Sequence, residues 1–270
     1  MTPLASTDVT DALFLAEPGG YRPTDFALGP WTPGKLHGGP VAALLAREAQ
    51  RVDPDESMGV ARLTVELMRP VSLAPISLET RVIRPGRKVQ IIEVIGRQDG
   101  IEVATARALR IRTLEVDLPM DALSEGLPFA LPAAGVVMEA ADVPRAFHSQ
   151  GAELRFVRGA FESPGPAVVW VRLRVPVVPG ELPSPLERVA AAADFGNGVS
   201  SPLSFGDWLF INPDLTIHLS RAPTGEWVGL DSHTVAESQG IGIAESRLWD
   251  EKGPIGRAIQ SLLIDRLTLD

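Results

Sequence analysis

Two short stretches of this chain carry residues whose types and spacing suit the chemistry of an acyl carbonyl. His37-Gly38-Gly39-Pro40 leads into PVAALLAREAQRV, where Val41, Leu44, Leu45, Ala49 and Val52 form one apolar stripe at helical spacing. A helix starting at Pro40 leaves the N–H groups of Gly39, Val41 and Ala42 unpaired. Such groups at the positive end of a helix suit an oxygen that gains negative charge. Gly38 and Gly39 let a ligand approach the backbone closely, although glycines there serve a tight turn equally well. Further on, Asp194 follows Ala190 by four residues, on the face shared by Leu186, Val189, Ala190 and Ala193. A carboxylate on an apolar stripe is expected to be desolvated, with a raised pKa that makes it a usable base. Its place in the last turn, against the helix dipole, is unfavourable for a purely structural Asp. The plainer alternative is that the helix has ended and Asp194 joins a polar turn with Gly196-Asn197-Gly198. Gln260 is a lone amide in a strand-like run with Ile259, Leu262, Leu263 and Ile264.

Other chemistries are excluded or disfavoured by what the sequence holds. There is no cysteine, hence no thiolate nucleophile, thiolate metal site or disulfide. The four histidines (His37, His148, His218, His233) are scattered without the spacing that puts two ligands on one helix face, so no metal or cofactor is expected. No G-x-S-x-G elbow is present. A net charge of −9 argues against nucleic acid or an anionic membrane as partner. Only three lysines occur, Lys35, Lys88 and Lys252, so contacts to a polyanionic ligand would fall mostly to arginine. The first twenty residues lack a basic n-region and no apolar run reaches about 20 residues, so the expectation is a cytoplasmic protein without membrane insertion.

The elements that must hold these residues come in two copies. Leu63-Thr64-Val65-Glu66-Leu67-Met68-Arg69 recurs as Leu215-Thr216-Ile217-His218-Leu219-Ser220-Arg221, 152 residues later and identical at four of seven positions. Residues 89–111 align with 242–264 at an offset of 153, each reading strand, turn, strand, with turns at Asp99-Gly100 and Lys252-Gly253. On that alignment Gln260 stands opposite Arg107, so the copies differ at a comparable position. One helix precedes each strand set, Pro40 to about Val52 and Pro185 to about Asp194. The second carries a start signal in Ser184, Pro185 and Glu187. Earlier strands are expected near Asp25–Trp31, Leu154–Ala160 and Val168–Val175. Proline-rich residues 114–146 read as a linker between domains 1–113 and 147–270. The class is α+β: two helix-plus-antiparallel-sheet units packed as a pseudo-dimer.

The stretch from Phe26 through Trp31, Gly34 and His37-Gly38-Gly39-Pro40, the helix VAALLAREAQ and the strand LTVELMRPV resembles the acyl-CoA thioesterase II-like branch of hotdog proteins. The resemblance implies a double hotdog fold and hydrolysis of acyl-CoA thioesters without metal or cofactor; homo-oligomers of the two-unit chain are compatible with it. It also implies a water held by an Asp on the second helix, a Thr or Ser on the next strand and a Gln on the last. Motif by motif, these fall on Asp194 in AAADFGNG, Asn212 in INPDLTIHLSR and Gln260 in RAIQSLLI. Asn212 departs from the family pattern, since an amide orients water but relays no proton; Thr216 is the fallback hydroxyl. His37 reads as a binding-loop or packing residue rather than a base, for want of an evident carboxylate partner. His218 shares strand parity with Asn212, Asp214 and Thr216, on a polar face. Two other readings compete: an enoyl-thioester hydratase or dehydratase of the same fold, although its D-x-N-P-x-H spacing is absent from INPDLTIH, and a non-catalytic acyl-thioester binder.

Overall fold

The computed structural model describes residues 11–119, 126–138, 144–161 and 163–267. A small hairpin, β1 (Phe14–Glu17) and β2 (Gly20–Pro23), precedes the first long helix, α1 (Gly38–Arg51). Strands β3 (Met58–Glu66), β4 (Ser77–Arg84), β5 (Val89–Gln98) and β6 (Ile101–Arg112) complete the first unit. The second has β7 (Val136–Val137), β8 (Ala152–Arg158) and β9 (Ala167–Leu173), then helices α2 (Pro185–Ala193) and α3 (Phe195–Ser200). It ends with β10 (Trp208–Ile211), β11 (Asp214–Leu219), β12 (Val228–Ala236), β13 (Ile241–Asp250) and β14 (Gly253–Arg266).

Eleven strands run in the order β4-β5-β6-β3-β11-β14-β13-β12-β9-β8-β7, and β10 joins β14 as the twelfth of one antiparallel sheet. The order of the first four is mirrored in the next four, with β3 and β11 meeting at the centre. Thr64 lies directly opposite Thr216, and Leu63 and Val65 oppose Ile217 and Leu215. Residues 152 apart are therefore related by a pseudo-two-fold axis that passes between the two threonines. The expected double hotdog, two units packed as a pseudo-dimer, is what the chain forms.

One residue of the sequence alignment is corrected by the ladders. Thr64 pairs with Arg107 as Thr216 pairs with Ile259, and Ile92 with Ala108 as Ala244 with Gln260. The offset stays at 152, and the counterpart of Gln260 is Ala108 rather than Arg107. The slip arose from matching Gly100 to Gly253. In the first unit, Asp99 and Gly100 adopt the positive φ angles, 50° and 76°, of a two-residue hairpin turn. In the second, Glu251 and Lys252 fill the equivalent places, and the Asp250 carboxylate shapes the turn by accepting the N–H groups of Lys252 and Gly253. A shift of one residue moves a side chain to the other face of a sheet. Arg107 accordingly points outward to Glu93, whereas Gln260 points inward.

The inner face is apolar by alternation: along β14, Ala258, Gln260, Leu262 and Ile264 are buried while Arg257, Ile259, Ser261 and Leu263 are exposed. It wraps α1 and α2, which lie so close that a Cβ on Gly39 would come 2.5 Å from the Ala191 carbonyl oxygen. Three boundaries differ from expectation. Helix α1 starts at Gly38, with His37 in extended backbone at the N-cap position and its ring beside the Gly39 N–H. The expected strand at Asp25–Trp31 is a short 3₁₀ turn over Asp25–Ala27, capped by Thr24, followed by a single bridge from Leu28 to Leu36. Gly196-Asn197-Gly198 is not a turn but the body of α3, and Asp194 forms the joint between α2 and α3.

Candidate active site

Four side chains from both units meet at that joint. Asp194 Oδ1 accepts the Asn212 amide at 2.7 Å and Gln260 Nε2 at 3.1 Å; Oδ2 lies 2.7 Å from His37 Nδ1. Gln260 is anchored in turn, its Oε1 accepting the Asn197 N–H at 3.1 Å. Each residue arrives by a different element: His37 caps α1, Asp194 closes α2, Asn212 sits in the turn between β10 and β11, and Gln260 comes from the inner face of β14. The sequence-derived trio Asp194, Asn212 and Gln260 is thus brought together around one carboxylate.

His37 joins them, which sequence reasoning missed. Nδ1 lies 3.1 Å from the Gly39 N–H as well as 2.7 Å from the carboxylate, and one ring nitrogen cannot accept and donate at once. The shorter contact requires a proton between nitrogen and oxygen, which the Nδ1–H form supplies. The Gly39 N–H is then directed at the carboxylate as well. The opposite ring nitrogen, Nε2, makes no hydrogen bond among the described residues, and the His37 side chain retains 9% of its exposure. Phe147 and Phe195, stacked 5.2 Å apart, flank the imidazole at 5.1 and 4.8 Å and fix its plane. The signal available in the sequence was His37 at a helix N-cap; its partner lies in the other unit.

Electrostatics reverse one expectation. Burial pushes the Asp194 carboxyl up, but the neighbouring His37 ring, its hydrogen bond, the Asn212 amide and the Gly39 N–H outweigh burial and hold it below the ordinary carboxylate range. Asp194 is therefore an ionised anchor rather than a carboxylate of raised basicity. His148, nearby, is shifted down to about 4 by burial and by His37, and its Nδ1 is buried without a partner among the described residues.

The glycines have one reading left. A Cβ on Gly38 would stand 2.8 and 2.9 Å from the two Asp194 carboxylate oxygens, so only glycine fits. With α1 beginning at Gly38, the Val41 N–H closes the first helical turn onto the His37 carbonyl. This corrects Val41 as a free donor and leaves the Gly38 N–H in that place; the Val41 side chain is core. Thr216, the fallback hydroxyl, is also corrected. Leu215 and Ile217 point into the core, so Thr216 faces outward beside Ile259, away from Asp194. His218 is exposed on that outer face.

The pseudo-symmetric position in the first unit lacks the cluster. Val60 stands where Asn212 would be, Ala108 where Gln260 would be, and a cleft of about 890 Å³ bordered by Val60, Gln50, Leu219 and Arg110 lies there. The pseudo-dimer thus carries one such constellation. Among the described residues no group of three or more His, Asp or Glu is placed to hold a metal ion, and no helix is long and apolar enough to cross a membrane.

Comparison with known proteins fits this architecture. The model of the acyl-CoA thioesterase N-terminal domain matches residues 27–111, and that of the acyl-CoA thioesterase C-terminal domain matches residues 128–264. The chain belongs to the acyl-CoA thioesterase family. Solved hotdog structures share its fold over nearly the whole length. A protein of unknown function with a hot dog fold from Alicyclobacillus acidocaldarius superposes with a TM-score of 0.73 at 18% identity, covering 95% of this chain and 97% of that one. The acyl-CoA thioesterase II TesB2 from Mycobacterium marinum gives 0.67 at 16% identity, covering 93% and 95%. No curated protein matches the sequence. Membership of the thioesterase family supports acyl-thioester hydrolysis in general terms.

Proposed function

We propose that this chain hydrolyses acyl-CoA thioesters to the free acid and CoA, at the joint between α2 and α3. The observation that carries the reading is the 2.7 Å contact between His37 and an Asp194 carboxylate that Asn212 and Gln260 also hold. The carboxylate already accepts three side-chain donors and a backbone N–H, so its own capacity to take a proton is low. Its negative charge fixes His37 in the Nδ1–H form and leaves Nε2 as the free acceptor, the relation of an orienting acid to a histidine base. A water at Nε2 gives up a proton as its oxygen attacks the thioester carbonyl. The resulting oxyanion is stabilised by the Gly38 N–H at the head of α1. Collapse breaks the carbon–sulfur bond, and the proton on His37 passes to the departing thiolate. Asn212 and Gln260 are positioning residues that hold the anionic partner, which explains why an amide serves where the family pattern has a hydroxyl. No metal or cofactor enters these steps, and the cytoplasm, where CoA esters are abundant, is the compartment that suits the reaction.

Free-thiol release from a panel of acyl-CoAs tests the reading. Asp194→Asn and His37→Gln are each expected to lower kcat by about 10²–10⁴-fold while melting near wild type, the range for a lost positioned base. Full activity in either variant would remove that residue from the mechanism. Loss of enoyl-CoA absorbance without thiol release would establish the hydratase reading instead, and thermal stabilisation by CoA without turnover the binder.

A further inference from the structure

A small cavity opens one turn of helix beyond Asp194. Gly198 follows Asp194 by four residues on α3, which places it on the same face and about 6 Å further along the axis. Gly198 and Val199 border the cavity on the helix side, and Phe161, Pro164, Leu203 and Phe205 enclose the rest. Phe161 and Phe205 are stacked on each other at 5.1 Å with an interplanar angle of 10°, and Trp31 backs Phe205 at 5.2 Å, so the cavity is bordered by the edges of a fixed aromatic stack. Phe161 also lies parallel to the His148 ring, which connects this wall to the surroundings of His37. Of the three serines that border the space, Ser201 bonds the Leu203 backbone and Ser204 bonds Asp207, which leaves the Ser163 hydroxyl as the polar group at its rim. The lining is otherwise apolar, with no charged group to meet a phosphate. Its volume is about 180 Å³.

Resting on the thioesterase reading, we infer that this cavity receives the acyl group and accommodates up to about six carbons or a single aromatic ring, so that carbons beyond these add nothing to binding. The size decides the class. An apolar cavity of about 150 Å³ takes a benzene molecule, so about 180 Å³ holds a phenyl ring or a chain of similar bulk, and the distal half of a long fatty acyl chain would lie outside it. The chemistry of the walls decides the orientation. The CoA arm carries amides and phosphates that need partners, so the acyl end enters and the nucleotide end remains toward solvent. Val199 and Phe161 are then the residues that set chain length.

The test uses non-hydrolysable S-alkyl-CoA thioethers from ethyl to dodecyl, with 2-phenylethyl-CoA, titrated by calorimetry against the full-length chain. Affinity should rise about fourfold per methylene up to about six carbons and then level off, the increment for burying one methylene. 2-Phenylethyl-CoA should match hexyl. Val199→Phe should remove the gain from ethyl to hexyl while leaving ethyl binding unchanged, and Phe161→Ala should move the plateau to longer chains if the Val199 variant melts early. An affinity that climbs steadily through dodecyl, no measurable thioether binding, or a chain-length profile indifferent to both substitutions would overturn the inference. Thiol release is scored separately. A length-limited binding profile without turnover would leave this pocket standing and remove hydrolysis, and turnover with no length limit would do the reverse.

Discussion

Replacing Asn212 by Val removes a hydrogen bond whose partner is a carboxylate, and the size of that loss is calculable. The Asn212 amide lies 2.7 Å from Asp194 Oδ1, a short, charge-assisted contact. Bonds of this kind contribute about 1.5–3 kcal/mol, against about 0.5–1.5 kcal/mol for a neutral pair. At about 1.4 kcal/mol per tenfold, complete loss corresponds to roughly 10- to 150-fold in kcat/KM. Asn212 is only part-buried, so water replaces some of the lost bond, and the lower end, about 10- to 30-fold, is the expectation. Because the amide is one of the groups that hold the Asp194 carboxyl down, its removal lets that pKa rise, and the acid limb of kcat/KM moves to higher pH. Asn212→Thr, which keeps a donor on a shorter stem, should fall between wild type and Val. The assay is thiol release across pH 4 to 9, with melting temperatures in parallel. If Asn212 only shapes the turn before Pro213, both variants would change melting temperature alike and leave rate and pH limb in place. That result would refute the argument from the carboxylate.

Gly38→Ala puts a methyl group 2.8 Å from the Asp194 carboxylate and 2.9 Å from Leu67 Cδ1, so it should cost about 1–3 kcal/mol in urea unfolding and most of the activity. Gly206→Ala, where nothing lies within 4 Å, is the neutral control. His148 gives a pH signature. Its folded pKa of about 4 lies below the ordinary 6.5, so between these values the unfolded chain binds a proton that the folded chain does not. Stability is therefore full above pH 6.5 and declines as pH falls toward 4. The integral of the shift sets a ceiling near 3 kcal/mol, and partial exposure of the ring reduces it to about 2 kcal/mol. His148→Phe, which keeps the stack on Phe161, should flatten the loss between pH 7 and 4.5 in urea midpoints; an unchanged slope would show that another group is responsible.

The fold was legible because strand repeats survive in short exact matches. LTVELMR and LTIHLSR flank the pseudo-axis, and their shared Thr64 and Thr216 face one another. The hairpin that follows was legible in kind but misplaced by one residue. Glycine is the usual mark of a tight turn, and the second unit builds its turn with the Asp250 side chain instead. That slip matched Gln260 to an outward arginine. Within the site, Asp194, Asn212 and Gln260 could be placed by motif, yet the direction of the Asp194 shift could not. Desolvation follows from a helical stripe in one sequence window, whereas the opposing term comes from His37, which lies in the other unit. The same distance in sequence hid the role of His37. Thr216 was misjudged because strand parity alone does not say which face is the core; Leu215 and Ile217 decide it.

The cluster draws His37 from the first unit and Asp194 and Gln260 from the second, so neither unit holds a complete set. Were the two units separate chains, the set would exist only while they stayed associated, and specific activity would fall on dilution below their dissociation constant. Joined in one polypeptide, each half-site meets its complement at an effective concentration set by the tether and not by the amount of protein present. Turnover per molecule should hold constant down to nanomolar enzyme, whatever the chain's own state of association. The joining also releases the second copy from duty. A pair of identical subunits must carry every substitution twice, whereas here Ala108 and Val60 can stand in the first unit where the second has Gln260 and Asn212.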